Sequence, residues 1–163
     1  MQKQNNSNKT SLFDLLRSVA EGSEFSSLLS SLLVDMCKID TVPTEDKKRN
    51  ADSEAAVYQI IRQAIQEHAL DGTFIEHRIK DAIKAHPAYT KPYYQNDEDY
   101  EGRYNLVHIV HAGLDTGGVA LNAHIDTVKP YFPPVIKEGA IIGRGTSDDK
   151  GCCVSIVGAL ILL

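Results

Sequence analysis

The stretch from 118 to 151 constrains the fold most, because an apolar run within it ends abruptly in chemically active side chains. The run 119–123 has the composition of a buried strand and is followed by His124, Ile125 and Asp126. Side chains alternate along a strand, so His124 and Asp126 are expected on the same face at its carboxyl end. Ligand sites of open α/β sheets lie at the carboxyl ends of strands. The run therefore predicts an α/β fold with a site at this position.

A turn rich in glycine and acids follows at 143–151, with the sequence Gly-Arg-Gly-Thr-Ser-Asp-Asp-Lys-Gly. Taken alone, such a turn is typical of a solvated helix start, because acids favour the positive end of the helix dipole. A single histidine at a strand end is likewise more often a structural residue than a ligand. Together, a neutral imidazole and a carboxylate suit a borderline metal such as zinc. Asp126 is placed to accept the other ring N–H of a metal-bound histidine.

The two motifs in combination resemble the signature of the M20 metallopeptidases. His-x-Asp-Thr-Val, a Pro-rich connection, a hairpin and Gly-Arg-Gly-x-x-Asp-x-Lys-Gly occur in that family's order and spacing. The family includes aminoacylases, acetylornithine deacylases and carnosine-type dipeptidases. The resemblance implies that His124 binds one metal, that Asp148 bridges two, and that Asp126 is the catalytic residue that steadies the imidazole. The two metals are expected to be zinc ions in the full-length parent.

Three positions of the motifs bear on the subfamily. Ala123 stands where the family usually has Gly, and Cys152 stands where Gly or Pro is common. Asp149 occupies a position that is often Met, although the carnosine-dipeptidase branch also tends to have Asp-Asp-Lys-Gly. These departures leave the subfamily open.

Composition indicates which partners and which cellular location to expect. It has 163 residues with a formal net charge of −5 and no basic tract, so no nucleic-acid partner is expected. Its three cysteines, two of them adjacent, do not form a disulfide framework, and a cytoplasmic location is the simplest interpretation. The polar residues 1–10 are expected to be disordered and are not a signal peptide. The apolar run 152–163 is too short to span a bilayer, so no membrane partner is expected.

The remaining patterns predict a sheet flanked by helices. Helices are expected from Ser11, which forms a capping box with Asp14, and over 25–36, 54–69 and 150–163. Strands are expected over 73–79 and 104–111, and 135–143 is typical of a hairpin. The loop around Pro43 is expected to be a connector, with a place beside the substrate cleft as the alternative. His77, His86 and the acidic cluster 96–99 are expected to be solvated.

The fold and the resemblance together predict the role of the chain. Residues 1–163 are expected to form the N-terminal part of a metallopeptidase catalytic domain, because the chain stops within an apolar run and the family is much longer. The activity implied is cleavage of amide bonds in small acyl-amino acids or peptides by a metal-activated water. The family's general base is expected beyond Leu163, so the chain alone is expected to be inactive. The alternative is an inactive short form that acts as an interaction or complementing subunit. A homo-oligomer is also expected, because part of the apolar surface of 154–163 would lack a partner.

Overall fold

The computed structural model describes residues 11–69, 71–90, 100, 102–111, 113 and 117–163. The fold is of the mixed α/β class, as the sequence predicts, with four α-helices and small antiparallel sheets among these residues. Residues 1–10 and the acidic cluster 96–99 lie outside the described residues. Within the described part, no helix is long and apolar enough to cross a membrane.

Four α-helices begin and end close to the predicted positions, with one exception. They are α1 (Leu12–Ala20), α2 (Ser23–Lys38), α3 (Lys47–His68) and α4 (Lys150–Leu162). The predicted capping box of α1 is confirmed, because Asp14 N donates to Ser11 Oγ and Ser11 N donates to the Asp14 carboxylate. The exception is α3, which begins at Lys47 rather than at Glu54. Its first turns are polar and carry no apolar periodicity, and Asp46 caps them by accepting from Arg49 N.

The strands form two separate two-stranded sheets. Strands β1 (Thr73–Arg78) and β2 (Tyr104–Ile109) pair antiparallel, with Thr73 opposite Ile109. Strands β3 (Val135–Lys137) and β4 (Ala140–Ile142) form the predicted hairpin. Its two turn residues, Glu138 and Gly139, have φ values of 53° and 78°, which is typical of a type I′ turn. A short 3₁₀ helix, Asp81–Ala85, follows β1.

The predicted strand at 119–123 is wrong. These residues form no regular secondary structure, and the side chains of Val119 and Leu121 are 88% and 59% exposed. An apolar run becomes a strand only when a neighbouring backbone completes its hydrogen-bond ladder, and the described residues place no strand beside it. The sheet is therefore smaller than the sequence pattern predicts.

The core lies where α2, α3 and α4 pack together. Met36 of α2 and Val57 of α3 are fully buried, and Val154 of α4 packs in the same cluster. Ile125 joins this cluster from the irregular segment. Because Ile125 points into the core, its neighbours His124 and Asp126 are left at the surface of the cluster.

Candidate metal centre

The structure brings together all three side chains that the motifs single out. Nε2 of His124 lies 3.2 Å from Oδ1 of Asp148. On the other side of the ring, Nδ1 lies 3.1 Å from the main-chain oxygen of Asp126 and 3.3 Å from its Oδ1. The imidazole is therefore held between two acidic residues from separate parts of the chain.

The partners of the His124 ring determine which nitrogen carries the proton. A main-chain carbonyl oxygen can only accept a hydrogen bond, so Nδ1 must be the donor to Asp126. In the neutral ring Nε2 is then a lone-pair acceptor, and it faces a carboxylate oxygen that is also an acceptor. Two acceptors at 3.2 Å are held together favourably only by a proton or a cation shared between them. The arrangement therefore offers two donor atoms to a positively charged ligand.

The distance between these atoms fits a metal site. Ligands about 2.1 Å from a tetrahedral zinc ion are about 3.4 Å apart, and the observed separation of His124 Nε2 and Asp148 Oδ1 is 3.2 Å. The side chains are 52% and 85% exposed, so an ion could reach them from solvent. Among the described residues, no three His, Cys, Asp or Glu side chains are grouped so that they could hold an ion. The described residues thus place two possible donor atoms together, one fewer than the about three protein ligands that a catalytic zinc centre typically uses.

The charges around His124 act on its pKa in opposite directions. Burial lowers the pKa, while the carboxylate and main-chain oxygen of Asp126 and the carboxylates of Asp149 and Asp148 raise it, and the net effect is a raised pKa. The pKa of Asp149 is lowered, first by a hydrogen bond from the Cys152 thiol and then by contact with His124. The carboxylates therefore give this site a negative electrostatic potential, which favours a bound cation.

The turn before α4 places the acids against His124. Asp149 is the N-cap residue of α4, and its Oδ2 accepts from the His124 main-chain N–H at 3.2 Å. Gly151 packs closely on the turn, since a Cβ there would lie 2.3 Å from the oxygen of Thr146. Cys153 Sγ donates to the main-chain oxygen of His124 at 3.5 Å. The first turn of α4 is thus joined directly to the segment that carries His124.

The loop before α3 contacts the segment that carries His124. Thr41 Oγ1 donates to the main-chain oxygen of Ile125 at 2.6 Å, and Thr127 N donates to the main-chain oxygen of Thr41 at 3.4 Å. Both threonines are 3% exposed. Because threonine is common in connectors, no sequence signal marked Thr41.

Lys150 and Tyr131, for which the sequence predicted no role, both bind the end of α2. Lys150 is fully buried and donates to the main-chain oxygens of Met36 and Ile39. The Tyr131 hydroxyl donates to those of Cys37 and Lys38. The sequence did contain one indication that Lys150 is special, because it is the single charged residue in α4.

Comparison with curated proteins finds a partial similarity to hydrolases. The relatives are "[LysW]-lysine/[LysW]-ornithine hydrolase" proteins of Saccharolobus islandicus, including strains L.S.2.15, M.14.25 and M.16.27. Each is 42% identical over 50 residues, which is 31% of this chain and 14% of the relative. The match therefore covers a small part of the relatives' length. No family model and no solved structure matches the chain.

Proposed function

We propose that the chain carries the metal-binding portion of a hydrolase that cleaves amide bonds in small acyl-amino acids or peptides. The observation that carries the proposal is the contact of 3.2 Å between His124 Nε2 and Asp148 Oδ1, with Nδ1 of the same ring against the main-chain oxygen of Asp126. The similarity of a 50-residue segment to a "[LysW]-lysine/[LysW]-ornithine hydrolase" supports the reaction class.

His124, Asp126 and Asp148 would have different roles in this site. His124 and Asp148 would hold a divalent metal, and Asp126 would keep the ring in the tautomer that leaves Nε2 free by accepting from Nδ1. Such a metal would supply Lewis acidity toward an amide carbonyl and a water made acidic at neutral pH. The exposed carboxylate of Asp148 leaves one side of the centre open to a substrate. The bridging role of Asp148 between two zinc ions belongs to the same proposal.

Zinc binding followed by calorimetry tests the proposal. A complete structural zinc site binds with roughly 10–16 kcal/mol, so two protein donors should give a dissociation constant of about 10 µM or weaker. His124→Ala and Asp148→Ala should abolish the binding. His77→Ala is the matched control, because His77 is an exposed histidine of β1, far from His124 in the sequence. Loss of binding in the control, or its persistence in both site variants, would refute the assignment.

A substrate-like ligand separates a hydrolytic centre from a simple ion site. Acetohydroxamate carries an amide-like carbonyl and binds metals that keep open coordination positions. We expect it to tighten zinc binding by the wild-type chain and to have no effect on His124→Ala. An unchanged affinity in the wild type would mean that the centre is closed to substrates. The alternative of an inactive interaction subunit stays a prediction that no observation here tests.

A further inference from the structure

The carboxyl end of α2 is bound by side chains from the site region. The last carbonyl groups of an α-helix have no partner within the helix and must be satisfied by other donors. In this chain Lys150 Nζ donates to Met36 O at 3.0 Å and to Ile39 O at 2.8 Å. The Tyr131 hydroxyl donates to Cys37 O at 3.2 Å and to Lys38 O at 2.8 Å. Four successive carbonyls are therefore occupied by two side chains.

Lys150 is an unusual residue for this task. Its side chain is fully buried, and a buried ammonium group is unfavourable unless its donors are satisfied. Both of its acceptors are main-chain oxygens at the negative end of the α2 dipole, which favours a cation. An apolar side chain of the same length would avoid the cost of burying the charge, but it would remove a donor from the Met36 and Ile39 carbonyls, and an unsatisfied buried acceptor is destabilising. Satisfying the carboxyl end of α2 is therefore one reason for a lysine at this position.

The place of Lys150 in the chain suggests a second reason, which concerns Asp148 and His124. It is the first residue of α4 and follows Asp148 and Asp149 directly. Its hydrogen bonds join the start of α4 to α2, while Thr41, just beyond the end of α2, bonds to the segment that carries His124. The same anchoring region therefore fixes both partners of the His124–Asp148 contact.

We propose that Lys150 is a positioning residue that holds Asp148 against His124 by anchoring the first turn of α4 to the carboxyl end of α2. That this contact serves to bind a metal rests on the proposed function. The positioning role of Lys150 does not depend on it. Tyr131 binds the same helix end, but it lies before β3 and is not part of the turn that carries Asp148. It offers a matched control for a general loosening of α2.

Nuclear magnetic resonance of the ¹⁵N-labelled 163-residue chain, at one fixed pH and without metal, provides the first readout. The change in the His124 Nε2 chemical shift between wild type and Asp148→Asn defines the signature of a lost contact. Lys150→Met should reproduce most of that change, whereas Tyr131→Phe should leave the wild-type value. Circular dichroism melting shows whether each variant folds. Should Lys150→Met not fold, Lys150→Gln, whose amide arm is shorter by one atom, is measured instead and should change the shift in the same direction.

Cobalt titration of the same samples provides the second readout. Loss of a residue that orients a metal ligand typically costs about 10–100-fold in affinity, and we expect a loss of this size for Lys150→Met. In an Asp148→Asn background Lys150→Met should have no further effect, because it acts through Asp148. A wild-type Nε2 shift in Lys150→Met, or an equal change in Tyr131→Phe, overturns the positioning role. A lost contact in Lys150→Met, without cobalt binding in the wild type, supports positioning and refutes the proposed function.

Discussion

His124 Nε2 lies 3.2 Å from Asp148 Oδ1 although the two residues are 24 positions apart in the chain. The packing of their neighbours explains this proximity. Ile125 anchors the first segment in the core, and Cys153 anchors the second within the same cluster. The Cys153 thiol also donates to the main-chain oxygen of His124. The contact is therefore a consequence of how α4 packs on the core.

The chain alone should show no hydrolase activity. A catalytic zinc centre uses about three protein ligands, and in the described residues no group of three potential ligands is present. The purified chain should be assayed with zinc, manganese or cobalt against acyl-amino acids and dipeptides. We expect no turnover above the metal blank. Turnover that co-purifies with the chain and disappears in His124→Ala would show that two donors are sufficient.

Alanine substitutions at two glycines of α4 should have opposite outcomes. A Cβ at Gly151 would lie 2.3 Å from the main-chain oxygen of Thr146, which cannot move without distorting the turn. The atoms nearest to a Cβ at Gly158 would be side-chain atoms of Leu29 and Phe25, the closest at 3.1 Å. Alanine has a higher helix propensity than glycine by about 1 kcal/mol, and overpacking costs about 1–3 kcal/mol.

We therefore expect Gly151→Ala to lower the free energy of unfolding by at least about 1 kcal/mol. Gly158→Ala should be close to neutral because its two effects oppose each other. Urea denaturation followed by circular dichroism measures both. Equal effects of the two variants would mean that the turn before α4 is not tightly packed.

The three cysteines should react with iodoacetamide in a defined order. Cys152 is exposed, whereas Cys37 and Cys153 are buried. Burial raises the pKa of Cys153 to about 12 and also raises that of Cys37. Since the thiolate is the reactive form, Cys152 should be alkylated first and the other two only on unfolding. Peptide mass spectrometry after timed labelling at pH about 8 measures the order.

The reactivity of Cys152 should itself depend on Asp149. The thiol donates a hydrogen bond to this carboxylate, which raises the pKa of Cys152 and lowers the thiolate fraction at a given pH. Asp149→Asn removes the charge, so the pKa should fall and alkylation at Cys152 should accelerate. Asp52→Asn, at an exposed position of α3, is the control and should leave the rate unchanged. A slower rate in Asp149→Asn would show that the contact does not protect the thiol.

Local signals in the sequence were sufficient for much of the fold. The capping box of Ser11 and the hairpin turn at Glu138 and Gly139 depend on residues a few positions apart, and both were predicted correctly. The proximity of His124 and Asp148 was also expected, since two motifs encode a segment end and a helix start. Features that depend on distant partners were not predictable in this way.

Two wrong predictions and one residue for which no prediction was made show that limit. The strand predicted at 119–123 needs a neighbouring backbone, which apolar composition does not reveal. The polar beginning of α3 depends on the cap at Asp46 rather than on hydrophobic periodicity. The burial of Lys150 depends on carbonyl groups more than a hundred positions earlier in the chain.

The measurement that tests the account most directly is a double-mutant cycle of cobalt affinity at His124 and Asp148. If both side chains bind one ion, His124→Ala and Asp148→Ala should each remove the binding, and the double variant should be no weaker than either single variant. Paramagnetic shifts in the wild type should be largest at the His124 ring and at the first turn of α4. Additive losses, or shifts centred elsewhere in the chain, would contradict the assignment of this contact as a metal centre.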